Sequence, residues 1–427
     1  MPAATSGRYL RVRKLLRQLG PGLITGAADD DPSGIATYSQ AGAQFGYGML
    51  WALLVTLPLM AAIQLVAARI GCVTGRGVAS NIRRHYPAGL LHALVVLLLV
   101  ANTVNIAADI GAMGEALRLA IGGPAHAYAL AFGVVSVLLQ VFLPYPRYAP
   151  LLKWMVTALF AYVATLFVID VPWGEVLAHI VSPGVAFDKE YLIALVAVLG
   201  TTISPYLFFW QASQEVEDQQ TSGHPSPLIR KPRGASKELG RIEVDTYVGM
   251  GFSNFIAFCI MLTSALTLHA NGVGDIRSAA DAAEALRPIA GDFAFYLFSL
   301  GIIGTGMLAI PVLAGSAAYA VAETFRWPRG LSQLPLDAPG FYGIITAATL
   351  IGVAIGFSPI DPFKALIWAA VLNGIVAVPI MVVMMRLAAR RDVMGRFVIS
   401  RRLAWTGWGS TCVMTVAVAA LLLTLVF

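Results

Sequence analysis

Long apolar runs alternate with short polar breaks along the chain. Eleven runs are long enough to cross a bilayer as helices: 21–46, 48–70, 88–114, 126–145, 150–172, 190–216, 244–270, 291–322, 340–357, 362–388 and 403–427. The first and sixth are interrupted. Asp29, Asp30, Asp31 and Pro32 cut the first, and Ser204 and Pro205 cut the sixth. Proline removes one N–H and clashes with the preceding turn, so both helices are expected to unwind in mid-span. The two prolines stand 173 residues apart, each in the first helix of a five-helix set. Five is odd, so the second set starts from the opposite side of the membrane. The expected architecture is an all-α polytopic membrane protein of two inverted five-helix repeats and an eleventh helix.

Composition supports that class. Of 427 residues 58% are apolar and 12% charged, against about 25% charged in a soluble domain, and mean hydropathy is +0.75. One soluble core could not hide so much apolar surface. Fibrous and disordered classes are excluded as well.

Charge fixes an expected orientation, since cytoplasmic loops collect Lys and Arg. With the N-terminus inside and the C-terminus outside, all but five of the 29 basic residues fall in inner segments, the five being Arg118, Lys189, Arg277, Arg287 and Lys364. Acids such as Glu175, Asp188, Asp275, Asp281 and Asp361 fall outside. They either concentrate cations at an entrance or simply keep outer loops soluble. The net charge of +6 needs no nucleic acid, because topology and anionic inner-leaflet lipid account for it. The basic stretch before residue 20 superficially resembles a secretory signal, but the apolar run after it is cut by acids and offers no small-residue cleavage site, so it is expected to stay. Cys72, Cys259 and Cys412 form no pair of ligand or disulfide spacing and read as filler. The loop near 217–243 reads as a flexible connection, and Glu215, Glu217 and Asp218 before it either attract an exiting cation or form a solvated helix end.

The broken helices carry the chemistry. Inverted-repeat transporters bind substrate near the midplane, where unwound backbone supplies carbonyls and half-helix ends. An ionised carboxylate there costs at least ~3 kcal/mol. Asp31 therefore demands a partner, and every Lys and Arg falls in a loop or at a helix end, none in the interior of a span. A bound cation or a proton is left to compensate. Asp29 and Asp30 either share that role or sit at a helix end in a wet vestibule. In the third span Asn102, Asn105 and Asp109 share one helix face. That stripe either carries protons along a wet route or holds the span by interhelical hydrogen bonds. Asn373 is a lone polar group of the tenth span. Gly301, Gly304 and Gly306 follow no strand, so they point to close helix packing instead of a nucleotide loop.

At these residues the chain resembles the Nramp family of divalent-metal transporters, nearest to its magnesium-transporting (NRMT-like) branch. Gly20-Pro21-Gly22 followed by Asp31-Pro32-Ser33-Gly34-Ile35-Ala36-Thr37 is similar to the family's first-helix motif. Gly200-Thr201-Thr202-Ile203-Ser204-Pro205-Tyr206 is similar to its sixth-helix motif, and Ala107-Ala108-Asp109 to one in helix three. The resemblance implies a LeuT-type fold with helices one and six discontinuous. It makes 1–20 a cytoplasmic segment, 21–402 the transporter core, with repeats over about 21–172 and 190–388, and 403–427 the eleventh helix. It also implies a metal site of Asp31, the Gly34 and Thr201 carbonyls and Ser204, with Asp30, Tyr206 and Asn373 near it through water. Asp109, Asn105 and Asn102 then line a possible proton or polar pathway. Gly34 stands where the family has an asparagine ligand, Ser204 a methionine, Tyr206 a histidine and Ala112 an acid.

Those departures harden the site. Thioethers favour softer metals, whereas hydroxyl, carbonyl, carboxylate and water favour Mg²⁺, Ca²⁺ and Mn²⁺. Mg²⁺ keeps several waters and suits a wide site with few direct ligands. The expectation is an importer of Mn²⁺ or Mg²⁺, with Fe²⁺ less favoured, working by alternating access in the cytoplasmic membrane. Its only partners are the transported divalent ion and the bilayer, with no further cofactor, and a monomer is expected. The alternatives are a cation-coupled amino-acid or organic-solute symporter on the same scaffold, or a metal-sensing membrane protein without flux. An enzyme is not expected, since no nucleophile, base and orienting group recur at usable spacing.

Overall fold

The computed structural model describes residues 21–143, 147, 154–221, 226–232 and 234–426. The basic segment 1–20 lies outside the described residues, as do most of 144–153 and the loop 222–225.

The first predicted span is two helices, α1 (Pro21–Asp29) and α2 (Pro32–Phe45). Asp30 and Asp31 form the break, and Pro32 opens α2 at a position where its missing N–H costs nothing. A 3₁₀ turn over Gly46–Met49 leads into α3 (Leu50–Thr74). The run Pro32–Thr74 is 43 residues long, about 65 Å of helix and more than twice a bilayer core. It joins the second half of the first crossing to the whole of the second at Gly46, whose φ of +54° favours glycine.

A short helix α4 (Val78–His85) precedes α5 (Ala88–Ile121) and α6 (Ala125–Phe142). The fifth span, expected to reach residue 172, ends four residues early with α7 (Phe160–Val168). The chain then turns by 114° into α8 (Trp173–Val181), because Pro172 and the polar Asp170 stop the apolar helix. The sixth span is again split, into α9 (Lys189–Thr202) and α10 (Pro205–Thr221). Then come α11 (Ala235–Thr267), α12 (Ala294–Phe325), α13 (Pro339–Gly356), α14 (Pro362–Ala389) and α15 (Arg401–Val426). Among the described residues nine helices are long and apolar enough to cross a membrane, or ten with the bent pair counted. Dividing the 43-residue run at Gly46 gives the eleven expected crossings.

Glycines set the closest approaches. A Cβ on Gly26 of α1 would lie 2.2 Å from the Gly249 carbonyl oxygen of α11, and one on Gly42 of α2 2.2 Å from that of Met261. Thus α11 packs backbone to backbone against both halves of the first broken helix. Gly200 does the same for α9 against the Ala370 carbonyl of α14, at 2.1 Å. In α12, Gly304 and Gly306 face Met155 and Met113 at 2.5 Å, the close packing their spacing suggested.

The loops sort into two ends. Glu323 at the end of α12 accepts from the Ser80 amide of α4 at 2.7 Å and pairs with Arg329, while His85 faces Asp392 and Gly75 meets Pro227. At the other end Glu115, Ser278 and Asp361 line one cavity, and Trp51 donates to the Tyr191 hydroxyl. Large apolar side chains such as Leu54, Val96, Leu138 and Leu423 are exposed on the flanks, as a lipid-facing surface requires.

Candidate functional site

Asp31 is the N-cap of α2, with extended backbone at φ −70° and ψ 172°. The positive end of the α2 dipole therefore lies on its carboxylate. Oδ1 accepts from the Ser33 hydroxyl at 2.6 Å and the Gly34 amide at 2.8 Å. Oδ2 accepts from Asn105 Nδ2 of α5 at 3.0 Å and the Tyr206 hydroxyl of α10 at 3.3 Å. The Tyr206 hydroxyl also reaches the Ala28 carbonyl at 3.1 Å, on the last turn of α1. With one proton it can serve only one of the two at a time.

Asn105 joins two acids and a third helix. Its Nδ2 also donates to Asp109 Oδ2 at 3.3 Å, and its Oδ1 accepts from Asn373 Nδ2 of α14 at 3.3 Å. Asn373, Asn105, Asp31 and Asp109 thus form one connected network. Asn102, on the same helix, is turned elsewhere: it donates to the Leu313 carbonyl and the Ser316 hydroxyl of α12, at 2.9 and 2.8 Å.

Across the pocket α9 ends at Thr202, so its last carbonyls point into the break with the negative end of its dipole. The Ser204 hydroxyl donates to the Gly200 and Thr201 carbonyls at 2.8 and 2.9 Å, leaving its lone pairs available. Gly34 lies beside Thr201, since a Cβ there would stand 3.2 Å from the Thr201 Oγ1. The first and sixth broken helices therefore meet at the residues the motifs single out.

Asp29 and Asp30 are not in a vestibule. Both are fully buried, and Ser253 of α11 donates to Asp29 Oδ2 at 2.7 Å and to Asp30 Oδ1 at 3.1 Å. Asp29 Oδ1, Asp30 Oδ2 and Asp109 Oδ1 have no hydrogen-bond partner. Exposure is 0% for Asp29, Asp30 and Asp109 and 1% for Asp31. Among the described residues no ion pair reaches any of the four. The pocket is acidic and closed to bulk solvent, and buried carboxyl groups of this kind need a bound cation or a proton to offset their charge.

Glu215 is likewise no solvated helix end. It is buried and paired with Arg241 of α11 at 2.6 Å, because α11 begins nine residues before its apolar run and carries Arg241 against α10. Two contributors escaped the sequence reading. The Asp-Pro-Ser sequence of an N-cap was visible and could have assigned Ser33 to Asp31. Ser253 is an ordinary small polar residue of an apolar span, and only the fold brings it to Asp29 and Asp30.

Two discontinuous helices crossing at an acidic pocket, in a bundle of inverted five-helix repeats, define a LeuT-type integral membrane transporter. The family model described as "Natural resistance-associated macrophage protein-like" (Nramp) matches residues 22–424. The chain belongs to the Nramp family. It is similar to the divalent metal cation transporter MntH of Burkholderia ambifaria, 27% identical over 402 residues, covering 92% of this chain and 86% of that one. Its fold is similar to a mutant manganese transporter of Eremococcus coleocola, with TM-score 0.75 and 17% identity, covering 95% and 86% of the two chains. It is also similar to MhsT, solved with L-phenylalanine, with TM-score 0.59 and 12% identity over 95% and 97%.

Proposed function

We propose that the protein imports a hard divalent cation, Mn²⁺ or Mg²⁺ in preference to Fe²⁺, across the cytoplasmic membrane by alternating access, with the end bearing Glu323 and Arg241 facing the cytoplasm. One observation carries this reading: Asp31 is ionisable, buried at the crossing of the two broken helices and held by two hydroxyls and two amide groups, with no basic side chain paired to it among the described residues. Family membership and the MntH relative support the cargo class.

The ion binds through Asp31, with the Thr201 and Gly34 carbonyls, Ser204 Oγ and retained water. All four acceptor positions of Asp31 are taken by donors, and two of those donors, Ser33 and Tyr206, are hydroxyls. A hydroxyl can rotate, withdraw its proton and offer a lone pair, which the Gly34 backbone amide cannot. Ser33 and Tyr206 thus release Asp31 to an arriving cation. A phenol keeps its proton at neutral pH, which argues against proton coupling through Tyr206. The first repeat spans about 21–172 and the second 190–388, with the chain acting as a monomer.

Uptake of Mn²⁺ and Mg²⁺ into liposomes carrying the purified protein is expected to vanish in Asp31→Ala, and persistence of saturable uptake would refute the assignment. Ser204→Met adds a thioether and is expected to shift preference toward Fe²⁺ or Cd²⁺. An unchanged preference would count against a hard site.

A further inference from the structure

Asp29 and Asp30 are left without a task by the Asp31 site. They face away from its partners: Asp31 turns to Asn105 and Tyr206, whereas Asp29 and Asp30 converge on the Ser253 hydroxyl of α11. One oxygen of each is buried without a hydrogen-bond partner. The single Ser253 proton cannot satisfy two carboxyl groups, so oxygen ligands are gathered there with their bonding incomplete.

We infer that Asp29, Asp30 and Ser253 hold a second hard divalent cation, separate from the ion at Asp31 and beside it. Incomplete bonding favours this occupant. Asp29 and Asp30 carry no ion pair among the described residues, and an ion at Asp31 would leave their two orphaned oxygens still unbonded. Two carboxylates and a hydroxyl are a donor set that suits Mg²⁺ or Mn²⁺, which bind through one or two carboxylates and complete their shells with water. Rotation of the Ser253 hydroxyl turns its donor into a lone pair, as for Ser33. Because α1 ends at Asp29, its terminal carbonyls add negative potential on the same side. The second position lies on the α1 side of the break, and the first at the start of α2.

This inference rests on the reading of Asp31 as the first site, and binding stoichiometry separates the two. Equilibrium dialysis of the detergent-solubilised full chain against Mn²⁺ is expected to give two ions per chain, with Mn²⁺ EPR lines broadened by the neighbouring spin. Asp29→Asn with Asp30→Asn is expected to leave one ion with narrow lines. Asp31→Ala is also expected to leave one. Ser253→Ala keeps every carboxylate and is expected to weaken only the second step, by about tenfold for one lost interaction. One ion in the unaltered chain, or two in the Asp29/Asp30 variant, overturns the second site and leaves Asp31 standing. No Mn²⁺ bound to the unaltered chain overturns both.

Discussion

Asn105 is the residue on which the polar centre turns, since it donates to Asp31 and Asp109 and accepts from Asn373. Replacing it with leucine leaves two buried carboxylates without their shared donor. Asn105→Leu is expected to weaken Mn²⁺ binding about 10- to 100-fold, the usual range for losing a group that orients a ligand. Asn373→Leu, one bond further out, is expected to cost less, and calorimetric titration of both variants checks the order. Much of this site was legible in the sequence. Asp31 announced itself as an acid beside a proline inside an apolar run, and Ser204 and Tyr206 as neighbours of the second break. Asn102 and Asn105 shared a predicted face, yet three residues of spacing rotate a side chain by about 60° from its neighbour, enough to send Asn102 to α12 while Asn105 meets Asp31. Periodicity gives the face and not the partner.

Each broken helix is held by an unbroken neighbour at points where only glycine fits. Gly26→Ala would place a methyl group 2.2 Å from a backbone oxygen of α11, where no side chain can yield. It is expected to destabilise the protein by roughly 1–3 kcal/mol, the range for overpacking, read as a lowered unfolding midpoint in detergent. Gly48→Ala, with nothing within 4 Å of the new atom, is the control expected to leave the midpoint unchanged. At this scale hydropathy located the spans well but misjudged two ends. It began α11 at 244 because the stretch from Ala235 is polar, and polar residues facing a neighbouring helix end are invisible to an apolar count. It carried the fifth span to 172 because Ile169 and Val171 extend the apolar count, although Asp170 and Pro172 end the helix at Val168.

Across the whole molecule, the end that gathers α4, the tails of α10 and α12 and the start of α11 is closed by buried ions. Arg241 pairs with Glu215 at 2.6 Å and Glu238 at 2.7 Å, and Glu323 caps α4. Arg241→Met strands Glu215 in the interior and is expected to cost about 3–5 kcal/mol. Pairing it with Glu215→Leu is expected to restore much of the loss, measured by denaturant unfolding of the detergent-solubilised chain. The same end holds the basic loops that the sequence placed in the cytoplasm, so charge patterning and tertiary contacts agree on which segments belong together. The cysteines divide in a useful way: Cys72 and Cys259 are buried, and Cys412, read from the sequence as filler, is exposed on α15 in an apolar groove beside Trp51, Leu195 and Leu199. A lipid-soluble bimane reagent should therefore attach at one native position without any engineered thiol. Because that groove borders both α3 and α9, its emission would follow the rearrangement of the broken sixth span in real time.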